Sequence, residues 1–384
     1  MGWPAVKLKQ VAHFSYGDAL PSERAGEESF PVYGSNGRYA FHSAANTAAP
    51  AVVIGRKGSY GKINWSDTPC FASDTTYFID QTATNNHLRW LYWLLQTLKL
   101  DEGSGEAAVP GLNREDAYEK VVLLPPIVKQ HSIADFLDRE TSKLDGLIAA
   151  KEQLIELLSE KRRALITRGV TRGLNPDAPL RKSGISWLQE IPAHWETSRL
   201  AWLFRDRDER REPDLPLLEV SINAGVVLRE FSDDRIETTA SDFNSYKVAR
   251  KGDIVFNKMR MWQGAVGLAP EDGLVSPDYT VAAPTGDMSP DYAALLFRTE
   301  MFSAECARNS HGIVWDRLRL YWEGFREIVV PVPPSPEQGA IVAYVDRETS
   351  KLDALKVASE STIALLKERR ATLITATVTG TIKV

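Results

Sequence analysis

The sequence contains one long segment twice, and this repeat limits the possible folds more than any other feature. Residues 125–171 align without a gap with residues 333–379 at a spacing of 208, and about half of the aligned positions are identical. The octet DRETSKLD occurs unchanged at Asp138–Asp145 and at Asp346–Asp353. Each half of the chain is therefore interpreted as a variable globular region followed by one copy of the same element.

Both copies of the repeat have the apolar periodicity of a long amphipathic helix. The first stripe contains Leu137, Leu144, Leu147, Ile148, Leu154, Ile155, Leu158 and Leu165, and the second contains Val345, Leu352, Leu355, Ile363, Leu366 and Leu373. One such stripe cannot bury itself, so we expect the two copies to pair as an antiparallel coiled coil. The alternative, that each helix packs only onto its own globular region, stays open at this point.

The two globular regions mix short strand-like runs with helical segments. Strands are predicted at 51–54, 77–79, 253–256 and 274–276, and helices at 87–100 and 291–308. The expected fold class is α+β, with two mixed α/β domains separated by two long repeated helices that form an antiparallel coiled coil with pseudo-two-fold symmetry. The predicted boundaries are 1–124 (first domain), 125–172 (first helix), 173–194 (linker with one short turn near Trp187), 195–331 (second domain) and 332–384 (second helix).

The composition favours a cytoplasmic protein. No apolar run approaches the roughly 20 residues of a membrane helix, so we expect no membrane association. The two cysteines, Cys70 and Cys306, form no CxxC pair and no metal-ligand cluster. The formal net charge of −5 argues against a nucleic-acid partner unless the cations are clustered locally.

Such clusters are present in three segments that carry glycine, aromatic and cationic residues together. Two of them, IGRKGSYGK and NKMRMWQG, directly follow predicted strands, as loops presented by a rigid scaffold would. Glycine lets the backbone approach phosphates, while arginine and lysine neutralise phosphates or read guanine. The candidate DNA-contacting residues are Ser35, Asn36, Arg38, Tyr39, Arg56, Lys57, Ser59, Tyr60, Lys62, Asn257, Lys258, Arg260, Trp262, Gln263 and His311.

Catalytic motifs were not found in the sequence. The segment Gly55–Lys62 fails as a phosphate-binding P-loop, because five residues separate Gly55 from Gly61 and Ile63 replaces the required serine or threonine. His311 and Asp316 could pair, but an isolated histidine near an aspartate is more often a polar contact. We therefore predict no catalytic, cofactor-binding or metal-binding residues and no cofactor.

Taken together, these segments resemble the specificity subunit of Type I restriction-modification systems over essentially the full chain. The repeated helices resemble that family's spacer helices, and Gly173–Glu196 resembles its central joint. YGSNGRY, IGRKGSYGK and ASDTTY resemble one type of its target-recognition domain, and LLEVSINAGV with the stretch around Asn257–Gly264 resembles another.

The resemblance implies a non-catalytic subunit that binds double-stranded DNA with a two-part target. Each recognition domain would read one half-site, and the helix pair would fix the gap between the half-sites. Two methyltransferase subunits would methylate adenine, and restriction subunits could join them. Two alternatives remain from other classes of protein: a self-contained DNA-modifying enzyme with a diverged active site, and a coiled-coil adaptor that does not bind DNA.

Overall fold

A computed structural model describes residues 2–21, 29–102, 111–229, 243–312 and 318–384. The chain divides into two compact units, Met1–Gln153 with Ser359–Val384, and Leu154–Ala358. Each unit contains one globular domain together with parts of two long helices. No helix in the described part of the chain is long and apolar enough to cross a membrane.

The first unit is built around a four-stranded antiparallel sheet. Its strands are β1 (Ala5–Lys7), β2 (Ser15–Tyr16), β3 (Phe30–Gly34), β4 (Gly37–His42), β5 (Ala51–Gly55), β6 (Ile63–Ser66), β7 (Phe71–Ala72), β8 (Thr76–Ile79) and β9 (Val121–Leu123). Its helices are α1 (Leu88–Gln96), α2 (Arg114–Tyr118), the first part of α3 (Ile127–Arg172) and a 3-10 turn at Leu8–Gln10. The main sheet has the order β2-β8-β5-β6, and the other strands form β4-β3-β7 and β1-β9.

The second unit has a larger number of short strands. These are β10 (Leu180–Ile185), β11 (Leu188–Pro192), β12 (Glu196–Arg199), β13 (Phe204–Asp206), β14 (Leu218–Ser221), β15 (Gly225–Leu228), β16 (Lys247–Ala249), β17 (Ile254–Asn257), β18 (Val266–Leu268), β19 (Gly273–Val275), β20 (Tyr279–Pro284) and β21 (Val329–Val332). Its helices are α4 (Leu200–Leu203), α5 (Pro290–Phe297), α6 (Glu300–Arg308), α7 (Trp322–Glu327) and the first part of α8 (Ser335–Val378), with 3-10 turns at Phe243–Ser245 and Met261–Gln263.

The main sheets of the two domains share one strand order. The four-stranded sheet of the second unit has the order β13-β20-β17-β18, which matches β2-β8-β5-β6 strand for strand along the chain. The pair β12-β21 likewise corresponds to β1-β9, since each joins the start of its domain to the strand before the long helix. The internal repeat therefore includes the scaffold of the globular regions, where the two sequences differ most.

A buried glutamine at the start of each long helix makes the same contacts in both units. The Gln130 amide donates to Pro125 O at 2.9 Å, and its carbonyl accepts from the backbone N–H of His87 at 2.8 Å. The Gln338 amide donates to Pro333 O at 2.8 Å, and its carbonyl accepts from the Ser289 N–H at 2.6 Å. Each glutamine thus fixes its helix to the residue that precedes α1 or α5.

The antiparallel coiled coil is confirmed, and the helices also pack onto the domains. In the first unit Asp145 pairs with Arg370 at 2.8 Å and Glu152 with Lys367 at 3.6 Å, so partner numbers fall along α8 as they rise along α3. In the second unit Arg162 pairs with Asp353 at 3.4 Å. Apolar side chains near the helix ends join the domain cores: Ile133, Leu137, Ile374 and Val378 in the first unit, and Val170, Ile341 and Val345 in the second.

The apolar stripe is narrower than the sequence indicates. Leu144 and Ile148 are buried, whereas Leu147 between them is 54% exposed. Leu154 and Leu355 are also exposed, at 37% and 54%. A pair of helices buries only the narrow seam that faces the partner, so residues at the margin of a wider stripe stay in solvent.

Most predicted strands and helices are present, with two differences. The helix predicted over 291–308 is two helices, α5 and α6, because the Thr299 hydroxyl accepts the Phe302 N–H at 3.3 Å and starts a new helix there. The segment predicted as a linker with one turn contains the hairpin β10-β11, whose turn lies at Trp187. The indole N–H of Trp187 donates to Val329 O at 3.1 Å, which fixes the hairpin to its own unit.

The identical octets provide a matched test of how the first helix is attached. Asp138 accepts hydrogen bonds from Arg89 Nε at 2.8 Å and from the Trp93 indole N–H at 2.8 Å. His87 and Ser289 are equivalent residues, because each donates its backbone N–H to the buried glutamine of its unit. Two positions later, Asp291 of the second unit is therefore the equivalent of Arg89. Asp346 forms no ion pair within the described residues.

We expect Asp138→Ala to lower the free energy of unfolding by about 1–2 kcal/mol, because charged hydrogen bonds are lost at a partly exposed site. Asp346→Ala should change it by less than about 0.5 kcal/mol. Thermal unfolding of the two variants measures the difference, and the change in helix propensity cancels because the octets are the same. Equal shifts in melting temperature would contradict the assignment.

Candidate nucleic-acid interface

The first cationic loop, Gly55–Lys62, connects β5 to β6. The Gly55 N–H donates to Lys62 O at 2.8 Å, and the Gly61 N–H donates to Gly55 O at 2.9 Å, which closes the loop at its base. A Cβ on Gly55 would lie 2.4 Å from Ser59 O, and one on Gly61 would lie 2.3 Å from Asp101 N. Gly61 also has a φ of +77°, so glycine is required there for both reasons.

Three segments converge on the backbone carbonyl of Thr75. It accepts from the Ser35 hydroxyl at 2.7 Å, from the Arg56 N–H at 2.8 Å and from the Lys57 N–H at 3.2 Å. The Lys62 ammonium donates to the Asn36 side-chain oxygen. The fold therefore brings together the β3-β4 turn, the cationic loop and the ASDTTY segment, which are separate in sequence.

Arg56 is positioned by aromatic rings. Its guanidinium lies 4.8 Å from the Tyr16 ring centroid and 5.6 Å from that of Tyr77, and Nη1 donates to Asp74 O at 3.4 Å. The guanidinium of Arg114 lies 4.9 Å from the Tyr16 ring. Within the described residues Arg56 has no carboxylate partner, so its charge is available to an anionic ligand.

The other predicted residues of the first unit have different environments. Tyr39 is 62% exposed on β4, and Arg38 beside it stacks on Phe41 at 5.2 Å. Lys57 and Ser59 are exposed. Ser35 is buried with its hydroxyl engaged, and Tyr60 packs against the first unit's core, so these two position the loops.

Sequence reasoning missed Tyr16 and Arg114. They lie 40 residues before and 58 residues after Arg56 (56 − 16 and 114 − 56), and neither stands in a glycine-rich or cationic segment. Only the pairing of β2 with β8 brings Tyr16 next to Tyr77 and thus to Arg56. No local sequence signal could have found them.

The second cationic loop follows β17, the strand that corresponds to β5. The Asn257 N–H donates to Ala265 O at 3.1 Å, and its side-chain oxygen accepts the Met259 N–H at 2.9 Å. Met261 is fully buried in the core of the second unit and anchors the loop there. Lys258 Nζ donates to Pro277 O at 3.4 Å, while Arg260 is exposed and forms no ion pair within the described residues.

His311 is connected to this loop through backbone hydrogen bonds. His311 and Arg319 exchange N–H···O bonds of 2.9 Å in both directions, and the next residue, Leu320, donates its N–H to Lys258 O at 2.9 Å. Trp262 donates its indole N–H to Met259 O at 3.0 Å, beside Gln263. The five predicted loop residues and His311 therefore lie on two joined segments, whereas Asp316 lies outside the described residues.

Side chains suited to metal binding do not cluster in the described part of the chain. No group of three or more His, Cys, Asp or Glu side chains there could hold a metal ion. Burial raises the pKa of both cysteine thiols, Cys70 and Cys306. Both thiols are free and buried.

The two domains have main sheets of one strand order, each presents a cationic loop after the same strand, and each is joined to a copy of one helix, so the protein is an internal duplication. Residues 1–157 match the family model described as "Type I restriction modification DNA specificity domain". The chain is 23% identical over 391 residues to the Type I restriction enzyme EcoDI specificity subunit of Escherichia coli, covering 92% of this chain and 83% of that protein. It is 20% identical to the EcoBI specificity subunit of Escherichia coli, covering 79% of this chain and 68% of the relative.

Two solved structures share the fold. A chain from a study of complex assembly and conformational transition in the type I R-M system has a TM-score of 0.67 at 15% identity, covering 98% of this chain and 97% of that one. The HsdS subunit from Thermoanaerobacter tengcongensis has a TM-score of 0.52 at 16% identity, covering 99% and 97%. Over most of its length the chain is therefore similar to specificity subunits of Type I restriction-modification systems, and its first 157 residues match the DNA specificity domain of such systems.

Two glycines of the first cationic loop allow the loop geometry to be tested. Gly58 has a φ of +73° with open space around its Cβ position, whereas Gly61 combines positive φ with a backbone clash. We expect Gly58→Ala to cost roughly 1–2 kcal/mol from backbone strain alone, and Gly61→Ala to cost roughly 3–4 kcal/mol. Chemical denaturation of the two variants measures both values, and equal costs would show that the loop yields at Asp101.

Proposed function

We propose that each globular domain reads one half of a two-part DNA site through the cationic loop that follows its central strand. The single observation that supports this most strongly is the equivalence of the two loops, Gly55–Lys62 after β5 and Asn257–Gly264 after β17. The loops differ in sequence while the scaffolds match. Different loops on one scaffold are suited to two different half-sites.

The proposed contacts divide into residues that touch DNA and residues that place them. Arg56, Lys57, Arg260 and Lys258 supply charge, and the exposed Tyr39 supplies a stacking surface. Ser35 and Tyr60 act by positioning the loops. The remaining candidates are Asn36, Arg38, Ser59, Lys62, Asn257, Trp262, Gln263 and His311. In this proposal residues 1–124 and 195–331 are the recognition domains, 125–172 and 332–384 are the spacer helices, and 173–194 is the central segment.

We further propose that the chain directs catalysis without performing it. Two methyltransferase subunits would bind the specificity subunit and methylate adenine in each half-site, and restriction subunits could join the complex. The duplicated architecture supports a partner that binds twice. The complex would act in the cytoplasm, where chromosomal DNA is accessible.

The half-site assignment is tested by one substitution in each loop. Arg56→Ala should lower the discrimination between bases at one position of one half-site by about 1–3 kcal/mol, because a base-contacting arginine is removed. Lys258→Ala should affect only the other half-site. The measurement is genome-wide mapping of methylated adenine in cells that express each variant with its methyltransferase.

Each variant serves as the control for the other, because the substitutions remove one positive charge from equivalent loops. A change in the same half-site for both variants would contradict the division of labour. An unchanged motif and unchanged affinity in both would remove these loops from the interface.

The helix pair is proposed to set the gap between the half-sites. Inserting four residues, about one helical turn or 6 Å, after Gln153 and after Ser361 should lengthen the unspecified gap by about two base pairs. Methylation mapping measures the gap directly. The same four residues inserted at Pro176, outside both helices, are the control and should leave the gap unchanged. A constant gap in the helix variant would exclude a spacing role.

A further inference from the structure

A cleft of about 1140 Å³ lies wholly within the second unit. One wall is the last part of α3, which belongs to this unit, and the other is formed by the start of α6, the end of α5 and the turn between β14 and β15. The hairpin β10-β11 closes one end. The cleft has room for an extended ligand, and both charged and apolar side chains line it.

The charge lining this cleft is positive although the chain as a whole is negative. Five arginines and three glutamates line it, a local balance of +2 (5 − 3), against −5 for the chain. The arginines are Arg162, Arg163, Arg168, Arg172 and Arg298. A local excess of positive charge attracts anionic ligands even when the net charge of the protein is negative.

Two of these arginines, Arg162 and Arg298, lie near enough for their charges to interact. Arg298 donates from Nη2 to the backbone oxygens of Ile222, at 3.1 Å, and Asn223. Desolvation of its guanidinium and the charge of Arg162 lower the pKa of Arg298. Like charges facing a cleft favour an anion between them, because the anion relieves their repulsion.

Comparison of the two repeats shows that the cationic wall is not needed for helix pairing. At the spacing of 208, Arg163, Arg168 and Arg172 correspond to Ala371, Ala376 and Gly380. The apolar residues beside them are retained, since Leu165, Ile166 and Val170 correspond to Leu373, Ile374 and Val378. Both copies pack against a domain through these shared apolar residues. The three arginines are not needed for that packing, so we attribute to them a role that is specific to this cleft.

Arg163 and Arg168 are available to a ligand, whereas Arg162 pairs with Asp353 at 3.4 Å and Arg172 with Glu190 at 3.3 Å. Arg168 is exposed and has no ion pair within the described residues. Arg163 pairs with Glu300 at 3.2 Å, but the two side chains are 62% and 82% exposed, and such surface pairs contribute at most about 1 kcal/mol. A phosphate could replace Glu300 at little cost.

The cleft is continuous with the second cationic loop. Gln263 and Gly264 line it, and Gln263 with Trp262 also lines an adjoining cavity of about 680 Å³ that includes Arg298 and Arg308. A duplex contacted by the loop would therefore have its backbone next to the arginines of α3.

We propose that this cleft binds the phosphodiester backbone of the duplex that the second domain reads, without regard to base sequence. The proposal rests on the proposed function, because it takes the second loop to contact DNA. The arginines supply bidentate donors to phosphate oxygens, and they give affinity rather than discrimination. The first unit has alanine or glycine at the positions equivalent to Arg163, Arg168 and Arg172, so the two half-sites would be held unequally.

The test removes two arginines by installing the residues of the other repeat. The double variant Arg163→Ala with Arg168→Ala is examined as the full chain in complex with its methyltransferase. Binding to a duplex with the mapped motif and to a scrambled duplex is measured between roughly 50 and 200 mM salt. The expected result is an equal loss of affinity on both duplexes. The slope of the logarithm of the binding constant against the logarithm of the salt concentration should also become smaller by about 1–2, because each phosphate contact contributes about 0.9 to that slope.

The matched control is Lys161→Ala with Arg369→Ala, which removes two positive charges at equivalent positions of the two repeats, outside the cleft. Its salt slope should equal that of the unmodified complex. Equal slopes in all three complexes would overturn the proposal. Loss of methyltransferase binding with an unchanged slope would also overturn it and would make the cleft a protein-docking site.

These outcomes are separable from those of the proposed function. If the unmodified complex binds the motif and the scrambled duplex equally, sequence recognition fails, but the salt slopes still decide whether the cleft contacts phosphate. If the unmodified complex discriminates and the double variant keeps both its slope and its affinity, recognition stands and the cleft proposal fails.

Discussion

Each long helix carries an apolar seam that it cannot bury alone, and the rest of the structure follows from how these seams are covered. In the first unit Ile374 and Val378 of α8 enter the same core as Ile133 and Leu137 of α3. The second unit repeats this arrangement with Ile341 and Val345 beside Val170. Each core therefore combines a domain with residues from both helices, and the first domain has an incomplete core until the C-terminal helix is present.

The two halves share their helix attachment and main sheet, and they differ in the loops that the sheet presents. Gln130 and Gln338 fix the helices to their domains with the same hydrogen bonds, and the main sheets have the same strand order. The loops after β5 and β17 share only their position and their positive charge. A scaffold that stays constant while its loops vary allows two binding surfaces to change independently, which is what a two-part target requires.

The sequence was informative where patterns are local and failed where contacts are long-range. The repeat, the long helices, β5 and α1 follow from periodicity and from runs of apolar residues. The exposure of Leu147 does not, because a helical stripe does not show how wide a face the partner covers. Thr299 shows a related limit, since a threonine within an apolar helical pattern becomes a cap only when its hydroxyl finds the Phe302 N–H.

The candidate site shows the same division between local and distant signals. Glycine and cation content found both loops, because close approach of the backbone and neutralisation of phosphate need those residue types. Tyr16 and Arg114, which flank Arg56, could not be found because strand pairing alone brings them there. The Thr75 carbonyl is likewise a backbone group that any residue type could provide.

The acidic net charge is compatible with DNA binding because the arginines fall into two classes. Arg250 forms ion pairs with Glu209, Glu212 and Asp272, and these carboxylates neutralise its charge. Arg56 and Arg260, in the described part of the chain, have no such partner. A partly buried cation that several carboxylates surround gains little from a phosphate, since these ion pairs must first be broken. In the proposed function, affinity for DNA comes from exposed arginines that carboxylates do not surround, while the excess of carboxylates elsewhere limits binding through other faces.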